Sequence, residues 1–425
     1  MSSYKVKKTP GDTSWFMHDR FGMFIHFGLY AMPAIHEWYK TQAFVPEEKY
    51  QKYFEHFNPD LFDARQWAKA AKEAGMKYAV LTTKHHEGFC LFDSKYTDYK
   101  ITNTEFGRDL VKEYADAFRA EGLKVGFYYS LIDWHHPDFP IDSRHPRRND
   151  PDAEQLDQGR DMKKYAQYMR NQVEELVTNY GKIDVLWFDF SYSTPKQNES
   201  KPWMQFGGGK GKDQWEAEEL IATARKYQPN VIIDNRTEIE QDIWTPEQYQ
   251  PMSWMRDKET GEYLPWEVCH ILGSYSWGYR RDEKNWKSPK MLIDLLINSV
   301  SLGGNLLINF GPTARGYLDD ASMKGLGTYK DWMKYHSRSI YGCTMAEPEF
   351  IAPRGTRLTQ SEDGSRLYIH LTEYPYAFLE MHNLAGKVEY AQFLHDGSEI
   401  TFDEGGAKHF SMGKEEGDDI VAFRL

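Results

Sequence analysis

The residues best placed to do chemistry gather at the ends of strand-like runs. The stretch "KIDVLWFDF", residues 182–190, sets Asp189 among Trp187, Phe188 and Phe190. With a period of two, Val185, Trp187 and Asp189 share one face, while Leu186, Phe188 and Phe190 share the other, all-apolar face. A carboxylate in apolar surroundings is costly unless it ends a strand, is paired, or is placed for chemistry. Other runs end in polar groups too: His26 in "FGMFIHFG", His85 and His86 in "AVLTTKHH", Tyr128 in "VGFYYS", Asn235 and Arg236 in "NVIIDNR". Taken singly, each could be a core histidine, a barrel filler or a structural ion pair. Their coincidence at the same end of successive strands favours a functional Asp189.

A metal hydrolase could draw on His26, His85, His86 and Asp189, but HxH and HExxH spacings are absent, and adjacent histidines on one strand are expected to diverge. No metal and no other cofactor is expected. Glycoside hydrolysis needs two carboxylates, one to attack or stabilise the anomeric carbon and one to protonate the leaving oxygen. Imidazole, phenol and guanidinium groups hold sugar hydroxyls, and an indole face packs on the apolar side of a sugar ring.

Four glutamates follow the run at 230–236 and compete for the second role. Glu267 in "PWEV" begins a strand-like run, which places it at the far end of a barrel. Glu238 and Glu240, in the polar run "RTEIEQD", suit solvated charges. Glu247 in "DIWTPEQY" is preferred, because Trp244 and Pro246 can pin the loop against a cleft and set apolar surface beside the acid. Glu238 stands next.

Three segments that must position these groups share one grammar: "AKEAGMKYAVLTTKHH", "FRAEGLKVGFYYS" and "VTNYGKIDVLWFDF". In each, a helical pattern ends at a glycine (Gly75, Gly122, Gly181) and a β-rich run follows at once. Further strand runs are expected at 21–28, 230–236, 267–272 and 305–311. Strands alternating with helices over this length predict an α/β fold, a (β/α)8-like TIM barrel over residues 1–341. After Tyr341, short alternating runs such as "RLYIHLT", "YAFLEMH", "VEYAQFL" and "IVAFRL" predict a small C-terminal antiparallel β-sandwich over 342–425. Two long loops, 131–153 and 191–215, have the length of segments that cover a site. The "FGGGKGK" run in the second lacks phosphate-loop spacing and reads as flexible surface loop.

Composition narrows the partners. A net charge of −12, with no basic stripe, argues against nucleic acid or an anionic membrane surface. Thirteen Trp and 28 Tyr are suited to sugar rings, although most must fill the core. Cys90, Cys269 and Cys343 have no metal spacing and leave one unpaired in any disulfide scheme, so a reducing, cytoplasmic setting is expected. The start "MSSYKVKKTP" has no apolar leader, and no run approaches the roughly 20 apolar residues of a membrane span.

In order, "FGMFIHFGLY", "EWY", "TTKHHEGFCLFDSKYTDY", "RDLVKEYADAFRAEGLKVGFYYS", "LWFDF", "NR", "TPEQ" and "SWGY" resemble the retaining α-L-fucosidases of glycoside hydrolase family 29. The resemblance spans about residues 20 to 340. It implies a barrel that is sometimes irregular, a following β-sandwich, and metal-free cleavage of terminal α-L-fucose from fucosylated glycans. By position it makes Asp189 the nucleophile and supports Glu247 as general acid/base. It places His26, Trp38, His85, His86, Tyr128 and Arg236 around the sugar hydroxyls and reacting centre. Trp187 and Trp277 become aromatic walls, the latter suited to the C6 methyl of a deoxy sugar. Two other readings stay open on the residues themselves: a metal-dependent barrel hydrolase, separated by metal analysis, and a non-catalytic fucose-binding protein, separated by turnover of an aryl α-L-fucoside. Linkage preference and oligomeric state are not set by these residues.

Overall fold

A computed structural model of the chain describes residues 3–194, 201–205, 209–373, 378–402, 409–411 and 420–424. Seven parallel strands form one sheet: β1 (Phe21–Ile25), β2 (Tyr78–Lys84), β3 (Lys124–Ser130), β4 (Val185–Asp189), β5 (Ile232–Ile233), β6 (Glu267–Ile271) and β7 (Asn305–Phe310). Their order is β5-β4-β3-β2-β1-β7-β6. Apart from Lys124, every residue of these strands is at least largely buried, as expected when side chains fill one face and helices cover the other.

The local chemistry that starts and stops the helices is legible. Helices Ala64–Glu73, Leu110–Ala120, Met162–Asn179 and Asp320–His336 begin at Asp63, Asp109, Asp161 and Asp319, and each of these aspartates accepts from a backbone N–H of the first turn. Gly75, Gly122 and Gly181 follow three of those helices with φ of 84°, 77° and 75°, a left-handed turn that glycine adopts without strain. That turn reverses the chain into the next strand.

The sheet closes through an irregular eighth member. Residues 234–266 contain no helix; after β5 the chain makes a polar excursion and returns, so that Ile243 bridges Asp234, Trp244 bridges Trp266 and Glu247 bridges Cys269, all in parallel sense. Residues 243–247 thus fill the gap between β5 and β6. The strand expected at 230–236 is accordingly cut to two residues, because from Asp234 onward its role passes to this segment. Inside the ring lie Phe24, Tyr78, Val80, Tyr128, Val185, Trp187, Ile232, Ile243, Cys269 and Leu307, while Leu186 and Phe188 pack outward in the larger core beneath the helices. The two faces of β4 are therefore divided as its period of two predicts.

Beyond the barrel, β8 (Cys343–Met345), β9 (Thr356–Ser361), β10 (Arg366–Leu371), β12 (Tyr390–Phe393) and β14 (Ile420–Arg424) form an antiparallel sheet ordered β12-β14-β10-β9-β8. A second, two-stranded sheet pairs β11 (Phe378–Glu380) with β13 (His409–Ser411). Leu358, Ile369, Leu379 and Ala391 meet in a separate apolar core there. Buried Arg20 ties this unit to the barrel, its Nε donating to Cys343 O and its Nη1 to Gly303 O, both at 2.8 Å. Among the described residues, no helix is long and apolar enough to cross a membrane.

Candidate active site

At the C-terminal ends of the strands lies a cavity of about 370 Å³, the size class of small-ligand sites. All ten residues singled out from the sequence line it: His26, Trp38, His85, His86, Tyr128, Trp187, Asp189, Arg236, Glu247 and Trp277. Asp189 ends β4 and is buried on its floor. Its Oδ2 accepts from the Tyr128 hydroxyl at 2.7 Å and its Oδ1 from Arg236 Nη1 at 2.9 Å. Burial, then the Asp189 charge, push the Tyr128 phenol well above its ordinary pKa, so it stays a donor.

Arg236 is the hub. The same Nη1 also donates to Glu247 Oε2 at 2.8 Å, so one guanidinium nitrogen bridges both candidate carboxylates. Thr245 holds the rest of the fork, its Oγ1 accepting from Nε at 3.1 Å and its carbonyl from Nη2 at 3.2 Å. The guanidinium carbon lies 4.3 Å from the ring centre of Trp187. Burial works against the Arg236 charge, but Asp189 and its neighbours outweigh it and hold the group above its ordinary pKa. Glu247 reaches the site because residues 243–247 close the barrel: Cys269 N–H donates to Pro246 O at 3.2 Å and Gln248 N–H to Cys269 O at 3.0 Å. The loop is pinned as expected, but by strand-like bonding to β6, and the partner of Glu247 is a cation instead of an apolar wall.

Two histidines have their tautomers set by neighbours. Asn309 Nδ2 donates to Trp277 O, which turns its Oδ1 to accept from His26 Nδ1–H at 2.7 Å. Ser130 Oγ donates to Ile132 O, so it can only accept from His86 Nδ1–H at 2.6 Å. Burial, with His85 adding to it, pushes both rings well below the ordinary histidine pKa. Each therefore keeps a bare Nε2 as an acceptor for a hydroxyl. Contrary to the expectation of divergence, His85 and His86 both face the cavity, with ring centres 4.0 Å apart. They lie past the last residue of β2, beyond a register shift between Thr82 and Lys84, so strict alternation no longer applies.

Aromatic rings close the sides. Trp38 packs on His86 and Phe190 at 4.7 and 4.8 Å, and Trp277 on His26 at 5.2 Å. Phe190, expected on the outward face of β4, instead lines the cavity, because its φ of 82° breaks the strand right after Asp189. Glu37 was not anticipated. Its Oε2 accepts from Ser276 Oγ, Trp277 N and Gly278 N at 2.9, 2.9 and 3.2 Å, and so holds the loop that presents Trp277. An acid directly beside Trp38 in "EWY" was the only local signal. Phe24 and Cys269 also line the cavity; Phe24 shares the parity of His26 and could have been found that way.

Of the competing acids, only Glu238 also lines the cavity. Glu267 begins β6, as expected, away from the cavity. Glu238 stands on the rim with φ 63°, its carboxylate accepting from Ser193 N at 3.2 Å and Lys212 N at 3.4 Å. Those donors belong to the long loop after β4, parts of which, including 206–208 of "FGGGKGK", lie outside the described residues. Its Lys210 is not a surface residue: it is fully buried and ion-paired with Asp142 of the other long loop, which also accepts from the Tyr192 hydroxyl. Among the described residues, no three His, Cys, Asp or Glu side chains converge to hold a metal ion.

The comparisons agree with this geometry. The sequence model of a family described as Alpha-L-fucosidase matches residues 2–338. The human plasma α-L-fucosidase is 30% identical over 367 residues, covering 77% of this chain and 69% of the relative. Among solved structures, α-L-fucosidase isoenzyme 1 from Paenibacillus thiaminolyticus superposes with a TM-score of 0.88 at 44% identity, covering 97% of this chain and 98% of the other. A family 29 enzyme from Bacteroides thetaiotaomicron, trapped as a covalent intermediate with 2-fluoro-fucosyl fluoride, superposes with a TM-score of 0.81 at 28% identity over 100% and 98% of the two chains. A parallel barrel with a trailing antiparallel unit, a match over most of its length and a site of two carboxylates walled by indoles converge on one assignment: this chain belongs to the α-L-fucosidases of glycoside hydrolase family 29.

Proposed function

We propose that the protein removes terminal α-L-fucose from fucosylated glycans by double displacement, with Asp189 as nucleophile and Glu247 as general acid/base. The observation that carries these roles is the bridge from one Arg236 nitrogen to both carboxylates. The bridged oxygens can lie no further apart than the sum of the two bond distances, which is compatible with the roughly 5–5.5 Å of retaining glycosidases. Attack of Asp189 on the anomeric carbon consumes its negative charge as the ester forms, while Glu247 gives its proton to the leaving oxygen and becomes the anion. One negative charge thus passes between two acceptors of the same guanidinium, which needs no reorganisation. In the second half, Glu247 takes a proton from water as the water displaces Asp189.

The bare Nε2 atoms of His26 and His86 accept sugar hydroxyls in this reading, and Tyr128 and Arg236 orient the nucleophile. Trp38, Trp187 and Trp277 supply apolar surface for a deoxy sugar and limit water near the developing positive charge. The partner is a neutral glycan; the net charge of −12 supports no nucleic-acid role. Three buried, unpaired cysteines support a cytoplasmic, reducing setting. Early NMR spectra of aryl α-L-fucoside hydrolysis are expected to show α-L-fucose first, followed by mutarotation. Initial release of the β anomer would mean inversion and exclude Asp189 as nucleophile.

A further inference from the structure

Glu87 directly follows the two cavity histidines in the chain, yet it does not line the cavity. After β2 the chain turns, with Gly88 N–H donating to His85 O at 3.0 Å and Gly88 at φ 84°, and this turn sets Glu87 behind His85. There the residue is 1% exposed, and neither carboxylate oxygen has a hydrogen bond of good geometry. Among the described residues, His85 is the one basic side chain within ion-pair distance: its Nδ1 lies 3.4 Å from Oε2 and likewise has no hydrogen bond of good geometry. Gly28, just past β1, packs so close that a methyl group there would lie 2.8 Å from Oε1, so the carboxylate has little room to move.

A buried carboxylate without a donor is costly, so its place beside a cavity histidine needs a physical reason. Packing fixes the plane of His85 but not its protons: the ring stacks on Tyr128 at 5.7 Å and meets Tyr30 edge-on at 5.1 Å. Which nitrogen carries the proton depends on what each nitrogen faces. His26 and His86 turn Nδ1–H to the neutral oxygens of Asn309 and Ser130, whereas the same nitrogen of His85 faces an acid. Burial, then the Glu87 charge, push the Tyr30 and Tyr50 phenols well above their ordinary pKa, so both stay neutral. We propose that Glu87 is a positioning residue of this site: it holds a proton on His85 Nδ1 and thereby directs Nε2 into the cavity, onto a fucose hydroxyl. The sugar's part in this rests on the fucosidase reading; the pairing of Glu87 with His85 does not. A carboxylate behind an imidazole also strengthens the hydrogen bond made by the far nitrogen, more than a neutral oxygen does. His85 is thereby set apart from the other two histidines.

Long-range ¹H–¹⁵N spectra of the unaltered protein, with the His85→Ala spectrum identifying the ring, read the position of the proton without any substrate. A proton on His85 Nδ1 is expected; a ring protonated on Nε2 alone would overturn the pairing. In Glu87→Gln the amide can donate to Nδ1 as well as accept from it, so the Nε2–H form should become populated. On an aryl α-L-fucoside this variant is expected to lose about tenfold in kcat/KM. That loss should run through the histidine: in the His85→Ala background, Glu87→Gln is expected to cost less than about twofold. Equal losses in the two backgrounds, or an unchanged ring and rate in Glu87→Gln, would reduce Glu87 to a structural acid and overturn the proposal. Urea denaturation separates a folded variant from an unstable one, and the spectrum of the unaltered protein needs no variant to fold except for identification. An unaltered protein that leaves the fucoside intact would overturn the fucosidase reading and the sugar contact, while the spectrum would still decide the pairing.

Discussion

Two buried carboxylates occupy opposite ends of the barrel: Asp189 closes β4 at the C-terminal end, and Glu267 opens β6 at the other. Each takes a hydrogen bond from a barrel tyrosine, Asp189 from Tyr128 on adjacent β3 and Glu267 from Tyr78 on β2, across the ring. Asp189 also has Arg236 and a cavity in front of it. Glu267 Oε1 has no hydrogen bond of good geometry, and burial pushes its pKa up to about 7, which Tyr78, Trp187 and Arg236 only partly offset. A search for perturbed acids alone would choose Glu267 or Asp234, neither of which lines the cavity. The comparison teaches that burial alone is enough to perturb an acid, whereas a nucleophile also needs a fixed cation and an approach path.

The comparison breaks first at Asp189. Asp189→Ala is expected to reduce turnover of an aryl α-L-fucoside by at least about 10⁴-fold with the fold retained, and azide should restore part of it as a fucosyl azide. Near-normal turnover in a folded variant would return Asp189 to the same standing as Glu267.

Glu247→Ala comes next. A loss of about 10²–10⁴-fold is expected on a poor leaving group, little on α-L-fucosyl fluoride, and the basic limb of the pH–rate profile should flatten. Should Glu238→Ala remove that limb and Glu247→Ala keep it, the acid/base role moves to Glu238, whose carboxylate is held by Ser193 and Lys212 in the free protein.

Arg236→Lys sharpens the cation's part. Lysine keeps the charge but cannot span Asp189, Glu247 and Thr245 at once, so kcat should fall about 10²–10³-fold, as when one preorganised donor is lost. A change confined to KM would reduce Arg236 to substrate binding.

Glu267→Gln should leave kcat nearly unchanged and alter stability instead. Its folded pKa, about 7, lies above the ordinary value of 4.5. Below pH 4.5 both states hold the proton; between 4.5 and 7 the unfolded chain releases it and the folded protein keeps it. Stability from this group is therefore full at low pH and lost as pH rises through 7, on the order of 3 kcal/mol. Urea denaturation of the glutamine variant at pH 5, 6, 7 and 8 should show that slope removed. A loss of kcat comparable to that of Arg236→Lys would instead tie Glu267 to the reaction.

Much of this site was legible in the chain because strand periodicity is local. The parity of Trp187 and Asp189, and the polar groups ending β1 to β4, follow from alternation and from helix-ending glycines. Legibility stopped where regular structure stopped. Phe190 leaves the outward face through one left-handed residue, the two histidines after β2 follow a register shift, and Glu37 acts on Trp277 from 240 positions away in the chain.

The sequence by itself determined most of the strands, the glycines that end the helices before them, the face on which Asp189 stands and the candidates for its partner, since each depends on residues a few positions apart. The tertiary structure decided which glutamate meets the cation that binds Asp189. Glu238, Glu247 and Glu267 all follow the same strand, and only the return of residues 243–247 into the gap between β5 and β6 brings Glu247 onto the nitrogen that binds Asp189. That choice rests on closing a ring, and ring closure depends on backbone bonds between distant segments that no local pattern encodes.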